Sequence, residues 1–257
     1  METRTEWDFY FCTVEDKPAS IMLNLALIQQ APMDGKADFV QISVNLKQPN
    51  EYGLSSQGEA EILYVIEDRL AEHLDHSLRG IYAGRSTTNN QRVFYFYCDS
   101  SIDYKNIVDE VMEGFSDYEC SSLAQKDPEW TFYSQFLYPS KIEYQSILNR
   151  RVLENLTRYG DTLQQEREVE HFIYFPGAEE REHFVNKVKP EGFEVVDLNF
   201  DHSQAGFPFG LVISRKDKVD AKSVEETVLF LVLLATECKG EYDGWETCVV
   251  NAVAGEE

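Results

Sequence analysis

The chain has 257 residues, with 23 Lys or Arg against 46 Asp or Glu, a formal charge of −23 at pH 7, and 43% hydrophobic and 13% aromatic residues. That length fits one large domain or two modest ones, and the apolar content is that of a chain that folds rather than of a disordered acidic one. The charge argues against binding through a phosphate backbone, which needs clustered Lys and Arg, and favours basic proteins, basic peptides and cations as partners.

Glu6 to Val14 and Pro18 to Ile28 read as two strands around a short turn, and Phe39 to Leu46 as a third with alternating Val40, Ile42, Val44 and Leu46. Ser56 and Glu59 have capping-box spacing for a helix. Its apolar stripe is Leu63, Ile66, Leu70 and Leu74, with Glu61, Glu67, Asp68 and Glu72 facing away. Ile81 to Arg85 and Arg92 to Cys98 flank Asn89-Asn90 and predict a hairpin, followed by a helix around Tyr104 to Met112 and a strand near Tyr118 to Leu123. Without its first two strands this is a β-α-β-β-α-β order. The domain boundary falls near Pro139 and Ser140, giving domains 1–140 and 141–257 with formal charges of −13 and −10, so both folded surfaces are acidic.

The second domain opens with a helix whose apolar face is Leu148, Val152, Leu156 and Tyr159, stopped by Gly160-Asp161. A strand at Val169 to Phe175, a helix from Ala178 to Val188 and strands at Phe193 to Phe200 and Phe207 to Ser214 follow. Ser223 with Glu226 then caps a long helix ending at Gly240, and a last strand runs from Trp245 to Val250. The predicted class is α+β: two ferredoxin-like (βαββαβ) α/β sandwich domains, the first with an extra N-terminal strand pair and the second with an extra leading helix. The long helix carries Leu229, Phe230, Leu233 and Leu234 outside its main stripe, so it must be covered on more than one side, within the chain or by a partner.

Five widely spaced cysteines with no C-x-x-C pair argue against a disulfide framework and a zinc knuckle. Glu2, Arg4, Glu6 and Asp8 interrupt the start before any signal-like apolar run, and Val228 to Ala235 is too short for the roughly 20 residues of a bilayer span. The expectation is a soluble cytoplasmic protein with a polar tail, Ala254 to Glu257. His73 and His76 beside Glu72 and Asp75 have a metal-like spacing, yet no third ligand follows at a recognisable distance. No H-E-x-x-H, G-x-S-x-G, Walker or Rossmann pattern occurs, so no catalytic residue, metal site or cofactor is expected. Arg92 to Tyr97 has the alternating aromatics of an RNA-stacking strand without that signature's glycines, and the expectation is no direct nucleic-acid binding and no membrane contact. Arg85 and Arg92 beside Gly84-Arg85-Ser86-Thr87-Thr88 make a turn that could accept an anion, although turns are usually polar for backbone reasons alone.

Polar residues remain where a domain does not need them: Asp161 at a helix end, Arg167 and His171 around a strand start, and Tyr242-Asp243-Gly244-Trp245-Glu246 at the turn into the last strand. The sheet order lets these segments converge, and Trp, Tyr and Arg are the types that dominate protein-binding hot spots. Internal pairing that fixes the fold is the competing reading. Gly160-Asp161, the run Glu166 to Phe175, Gly192-Phe193 and the Tyr242 to Glu246 ending resemble the regulator of ribonuclease activity B family over roughly Lys141 to Val250. Trp7 with Phe9 and Tyr10, Pro18-Ala19-Ser20, Glu67-Asp68, Gly84 to Thr88, Phe94 to Tyr97, and Asp127-Pro128-Glu129-Trp130 with Tyr133 resemble DUF695, a domain of unknown function.

The first resemblance implies a non-enzymatic acidic protein that binds the scaffold region of ribonuclease E and inhibits RNA cleavage. The expected partner is therefore a basic protein such as ribonuclease E or another RNA-processing enzyme, met by Asp161, Arg167, His171, Tyr242, Asp243, Trp245 and Glu246. The alternative is an enzyme or small-molecule binder with a polar pocket around Arg167, His171, Asp243 and Glu246. Nothing in the sequence specifies the oligomeric state.

Overall fold

Residues 5–200 and 206–250 are described by the computed structural model, and the expected tail Ala254 to Glu257 lies outside them. The chain divides into two units, Met1–Glu143 and Tyr144–Glu257, each an α+β arrangement around its own antiparallel sheet and core. No helix among the described residues is long and apolar enough to cross a membrane.

In the first unit, β1 (Trp7–Val14) and β2 (Lys17–Asn24) form a hairpin, followed by β3 (Asp38–Asn45), α1 (Gln57–Leu78), β4 (Ile81–Thr88), β5 (Gln91–Cys98), α2 (Tyr104–Glu113) and β6 (Cys120–Lys126). The six strands lie in the order β1-β2-β4-β5-β3-β6, every neighbouring pair antiparallel. The β4–β5 turn falls on Asn89-Asn90 as expected, both at positive φ, the conformation a tight two-residue hairpin needs. One sheet face packs Val40, Ile42, Val44, Phe94 and Phe96 against Leu63, Ile66, Leu70 and Leu74 of α1 and Val108 and Val111 of α2. The other is covered by the chain after β6. Trp130 stacks on Tyr97 with ring centroids 3.9 Å apart, Tyr97 Oη donates to Asp127 Oδ2 at 2.7 Å, and Tyr133 Oη donates to the Asn24 carbonyl at 2.7 Å. All of Arg92 to Cys98 is thereby buried, so its aromatics are core on both faces and present no open stacking platform.

Several local expectations are corrected here. The second strand ends at Asn24 rather than Ile28, because the Asn24 side chain accepts from the Ala26 and Glu6 amides and starts a short 3-10 turn at Leu25–Gln29. The last strand of this unit lies two to three residues later than expected. Ser56 precedes α1 but makes no capping bond; Glu59 turns instead to the Lys47 and Gln48 amides, at 2.6 and 2.9 Å. Glu67 faces inward, where it pairs with Arg85 and accepts from Tyr82 Oη at 3.0 Å.

The second unit contains most of α3 (Lys141–Arg158), then β7 (Arg167–Phe175), α4 (Ala178–Val188), β8 (Glu194–Phe200), β9 (Phe209–Asp217), α5 (Ala221–Glu237) and β10 (Glu241–Thr247). The sheet order is β10-β7-β9-β8, again antiparallel throughout, so β10 is an edge strand. The buried face of α3 is Ile147, Asn149, Leu153 and Leu156, one step round from the expected stripe, and Tyr159 is exposed. Asp220, not Ser223, caps α5: its carboxylate accepts from the Ser223 amide at 3.0 Å and the Ser223 hydroxyl at 2.8 Å. The last strand starts at Glu241 and ends at Thr247, earlier than expected, and α5 leaves Leu229, Phe230 and Leu233 exposed.

Candidate functional site

The residues singled out by sequence lie around β7, β10 and the end of α3. They separate into a buried set and an exposed set. Asp161, in the turn after α3, makes a two-pronged ion pair with Arg167 at the start of β7, Asp161 Oδ1 accepting from Nη2 at 2.9 Å. The same carboxylate accepts from the Leu163 amide at 2.8 Å and the Val250 amide at 2.7 Å, while Arg167 also donates to the Cys248 carbonyl at 3.0 Å. Two loops distant in sequence are thus tied to one buried carboxylate. The Arg167 hydrogen bond, aided by the two amides, holds the Asp161 carboxyl far below the usual carboxylate range against the opposing effect of burial, and Asp161 in turn raises Arg167.

His171, 2% exposed in the middle of β7, shares a 2.8 Å hydrogen bond between its Nδ1 and Tyr242 Oη of β10. Burial, then the nearby Arg215 charge, push its pKa down to about 3, so the ring is neutral. Burial also holds the Tyr242 phenol well above its ordinary value. Trp245 stands opposite His171 in the β7–β10 register, and its indole N–H donates to Asn149 Oδ1 of α3 at 2.9 Å. Asn149 Nδ2 donates to Glu225 of α5 at 3.0 Å, and the Ser146 hydroxyl donates to the same carboxylate. One side-chain amide therefore joins β10, α3 and α5. Sequence reasoning missed Asn149, although Gln145, Ser146 and Asn149 already form a polar strip on an otherwise amphipathic helix.

Asp243 and Glu246 are exposed. The segment expected as a turn is part of β10 itself, with a bulge between Tyr242 and Gly244 that leaves Asp243 without a cross-strand partner. Glu246 stands directly opposite Glu170 of β7, and neither has an ion-pair partner among the described residues. Like charges across a strand pair repel, so this pair lowers stability unless a cation approaches it.

The polar pocket expected around Arg167, His171, Asp243 and Glu246 does not form. Arg167 is taken up by Asp161 and the Cys248 carbonyl, and His171 Nδ1 by Tyr242 with its Nε2 buried and without a hydrogen-bond partner, while the two acids are exposed to solvent. The depression beside His171 and Trp245 has a volume of about 10 Å³, room for a water molecule at most. Among the described residues no group of three or more His, Cys, Asp or Glu is placed to hold a metal.

No curated protein matches the chain. A solved structure of an unknown protein from Galdieria sulphuraria aligns at 13% identity over 80% of this chain and 96% of that one, with a TM-score of 0.22. The family model described as Family of unknown function (DUF695) matches residues 5–138, and that described as Regulator of ribonuclease activity B matches residues 146–247. These spans coincide with the buried aromatic sheet of the first unit and the β7–β10 framework of the second, and the chain belongs to the DUF695 family, with a Regulator of ribonuclease activity B domain as its C-terminal half.

Proposed function

We propose that this protein regulates an RNA-processing ribonuclease by direct protein contact, without catalysis of its own, and that the acidic edge of the second sheet meets a basic segment of that enzyme. The observation that carries this reading is the unneutralised Glu170–Glu246 pair beside exposed Asp243 on edge strand β10. Two adjacent carboxylates with no cation of their own gain most from a partner's Lys or Arg. The C-terminal family's description, a regulator of ribonuclease activity, supports the class of partner. In this reading Asp161, Arg167, His171, Tyr242 and Trp245 hold β10 in place, and Asp243 and Glu246 make the contact. We read both units as ferredoxin-like, supported by the matching orders β4-β5-β3-β6 and β10-β7-β9-β8 with one helix after the first strand and one after the third.

Titration of purified ribonuclease E with the full chain, followed by RNA cleavage, tests the proposal. Binding that weakens with salt and falls about tenfold or more in the double variant Glu170→Lys/Glu246→Lys is expected. Absence of binding, or unchanged binding by a folded double variant, overturns it.

A further inference from the structure

The first unit holds a cavity of about 340 Å³, within the size range of small-molecule sites. Its origin lies in the topology. Helix α1 lies over β4 and β5, while the β1–β2 hairpin extends the sheet beyond the helix as an open shelf. The pairing registers align Phe11, Ser20, Thr87 and Arg92 in one row across the shelf and Phe9, Met22 and Arg85 in the next, all on the helix-bearing face. Tyr64 of α1 forms one wall and the loop carrying Asn50, Leu54 and Ser55 closes the end. That loop is stiffened by Asn50 Oδ1, which accepts from the Tyr52 and Leu54 amides at 2.9 and 3.0 Å.

Arg92 is 4% exposed, yet its guanidinium hydrogen-bonds only to neutral hydroxyls. Nε donates to Thr87 Oγ1 at 3.0 Å, Nη2 donates to Ser55 Oγ at 2.9 Å, and Nη1 has no hydrogen-bond partner. No carboxylate lies within ion-pair distance of it among the described residues, whereas Arg85, the second guanidinium of the cavity, is paired with Glu67. Two cations and one carboxylate leave a buried excess of one positive charge, in a chain of formal charge −23. A buried cation without a counter-charge is unfavourable, so a built pocket that keeps one is poised for an anion. The Tyr64 ring sits 5.0 Å from the Arg85 guanidinium and 5.5 Å from that of Arg92, and Phe9, Phe11, Met22 and Leu54 supply apolar surface for the body of a ligand.

We propose that this cavity binds a small organic monocarboxylate with an apolar or aromatic body, its carboxylate beside the Arg92 and Arg85 guanidinium groups and its body against Phe11, Met22 and Tyr64. A single negative charge neutralises the site. A dianionic phosphate leaves a surplus negative charge beside Glu67, which disfavours it.

The test is calorimetric titration of the full chain with 3-phenylpropionate, its uncharged amide and phenyl phosphate. One-to-one binding of the acid is expected, with the amide and the phosphate each weaker by about tenfold or more and binding lost in Arg92→Gln. Because Arg92 is buried, a second variant guards against misfolding: Tyr64→Glu, at a half-exposed position of α1, brings the protein's own carboxylate to the two guanidinium groups. This variant is expected to keep its melting temperature or raise it and to stop binding the acid. Equal binding of acid and amide, tighter binding of the phosphate, no binding of the acid at millimolar concentration, or undiminished binding by folded Tyr64→Glu each overturns the proposal.

Discussion

His171 shows how one side chain can carry a measurable pH signature without being a catalyst. Its ring is neutral when folded, with a pKa of about 3 against an ordinary value of 6.5, so the unfolded chain takes up the proton first as pH falls. The contribution is therefore fully favourable above about pH 6.5 and is lost progressively as pH drops toward 3, with a slope of up to about 1.4 kcal/mol per pH unit. Urea denaturation of wild type and His171→Gln at several pH values between 6.5 and 4.5 checks this. The stability difference between the two is expected to move in favour of the variant as pH falls, since Gln can still accept from Tyr242 and does not titrate. The sequence marked His171 as polar in an apolar strand, but not its fate, because Tyr242 lies 71 residues away and only the β7–β10 register brings the two together.

At the scale of elements, polar side chains decided boundaries that hydrophobic periodicity located only to within a few residues. Asn24 stops β2, Asp220 rather than Ser223 starts α5, and Glu59 leaves its cap to hold the chain after β3. Each of these side chains satisfies a backbone amide, and which amide is in reach depends on the fold and not on spacing alone. The α3–α5–β10 junction follows the same logic. Replacing Asn149 by Ala leaves the Trp245 indole N–H buried without an acceptor and removes a donor from Glu225, at a cost of about 1–3 kcal/mol. A lowered urea midpoint with an unchanged slope is the expected result, and Asn149→Asp, which keeps the acceptor but sets a second carboxylate beside Glu225, should not rescue it. The strands and helices themselves were legible because Leu63, Ile66, Leu70, Leu74 and the alternating residues of β3 follow the periods that burial imposes. The exposed Leu229, Phe230 and Leu233 show the limit of that argument, since periodicity marks an apolar face without naming what covers it.

At the scale of the whole molecule, each unit has its own sheet and core, so a defect in one is expected to leave the other in place. Asp161→Ala strands a buried Arg167 and should cost about 3–5 kcal/mol. Hydrogen-exchange mass spectrometry is expected to show the loss in β7 and β10 while β3, β5 and β6 keep their protection; a parallel loss in both sheets would show that the units unfold together. The sequence pointed to an anion at Arg85 and Arg92 but placed it at a turn, for a reason that belongs to this scale. Arg85 and Arg92 were visible as a pair, but they lie in strands rather than in the Asn89-Asn90 turn, and the shelf that makes a cavity of them comes from a hairpin more than sixty residues earlier in the chain. The bulge at Asp243 has a consequence of its own. An open sheet edge is a template on which another chain can add a strand and seed aggregates, and a local kink flanked by carboxylates spoils that template. The same acids thereby turn away further copies of β10. Regularising this edge by deleting Asp243 and replacing Glu246 with Val is expected to make the protein self-associate at concentrations where the wild type stays dispersed, as light scattering would show.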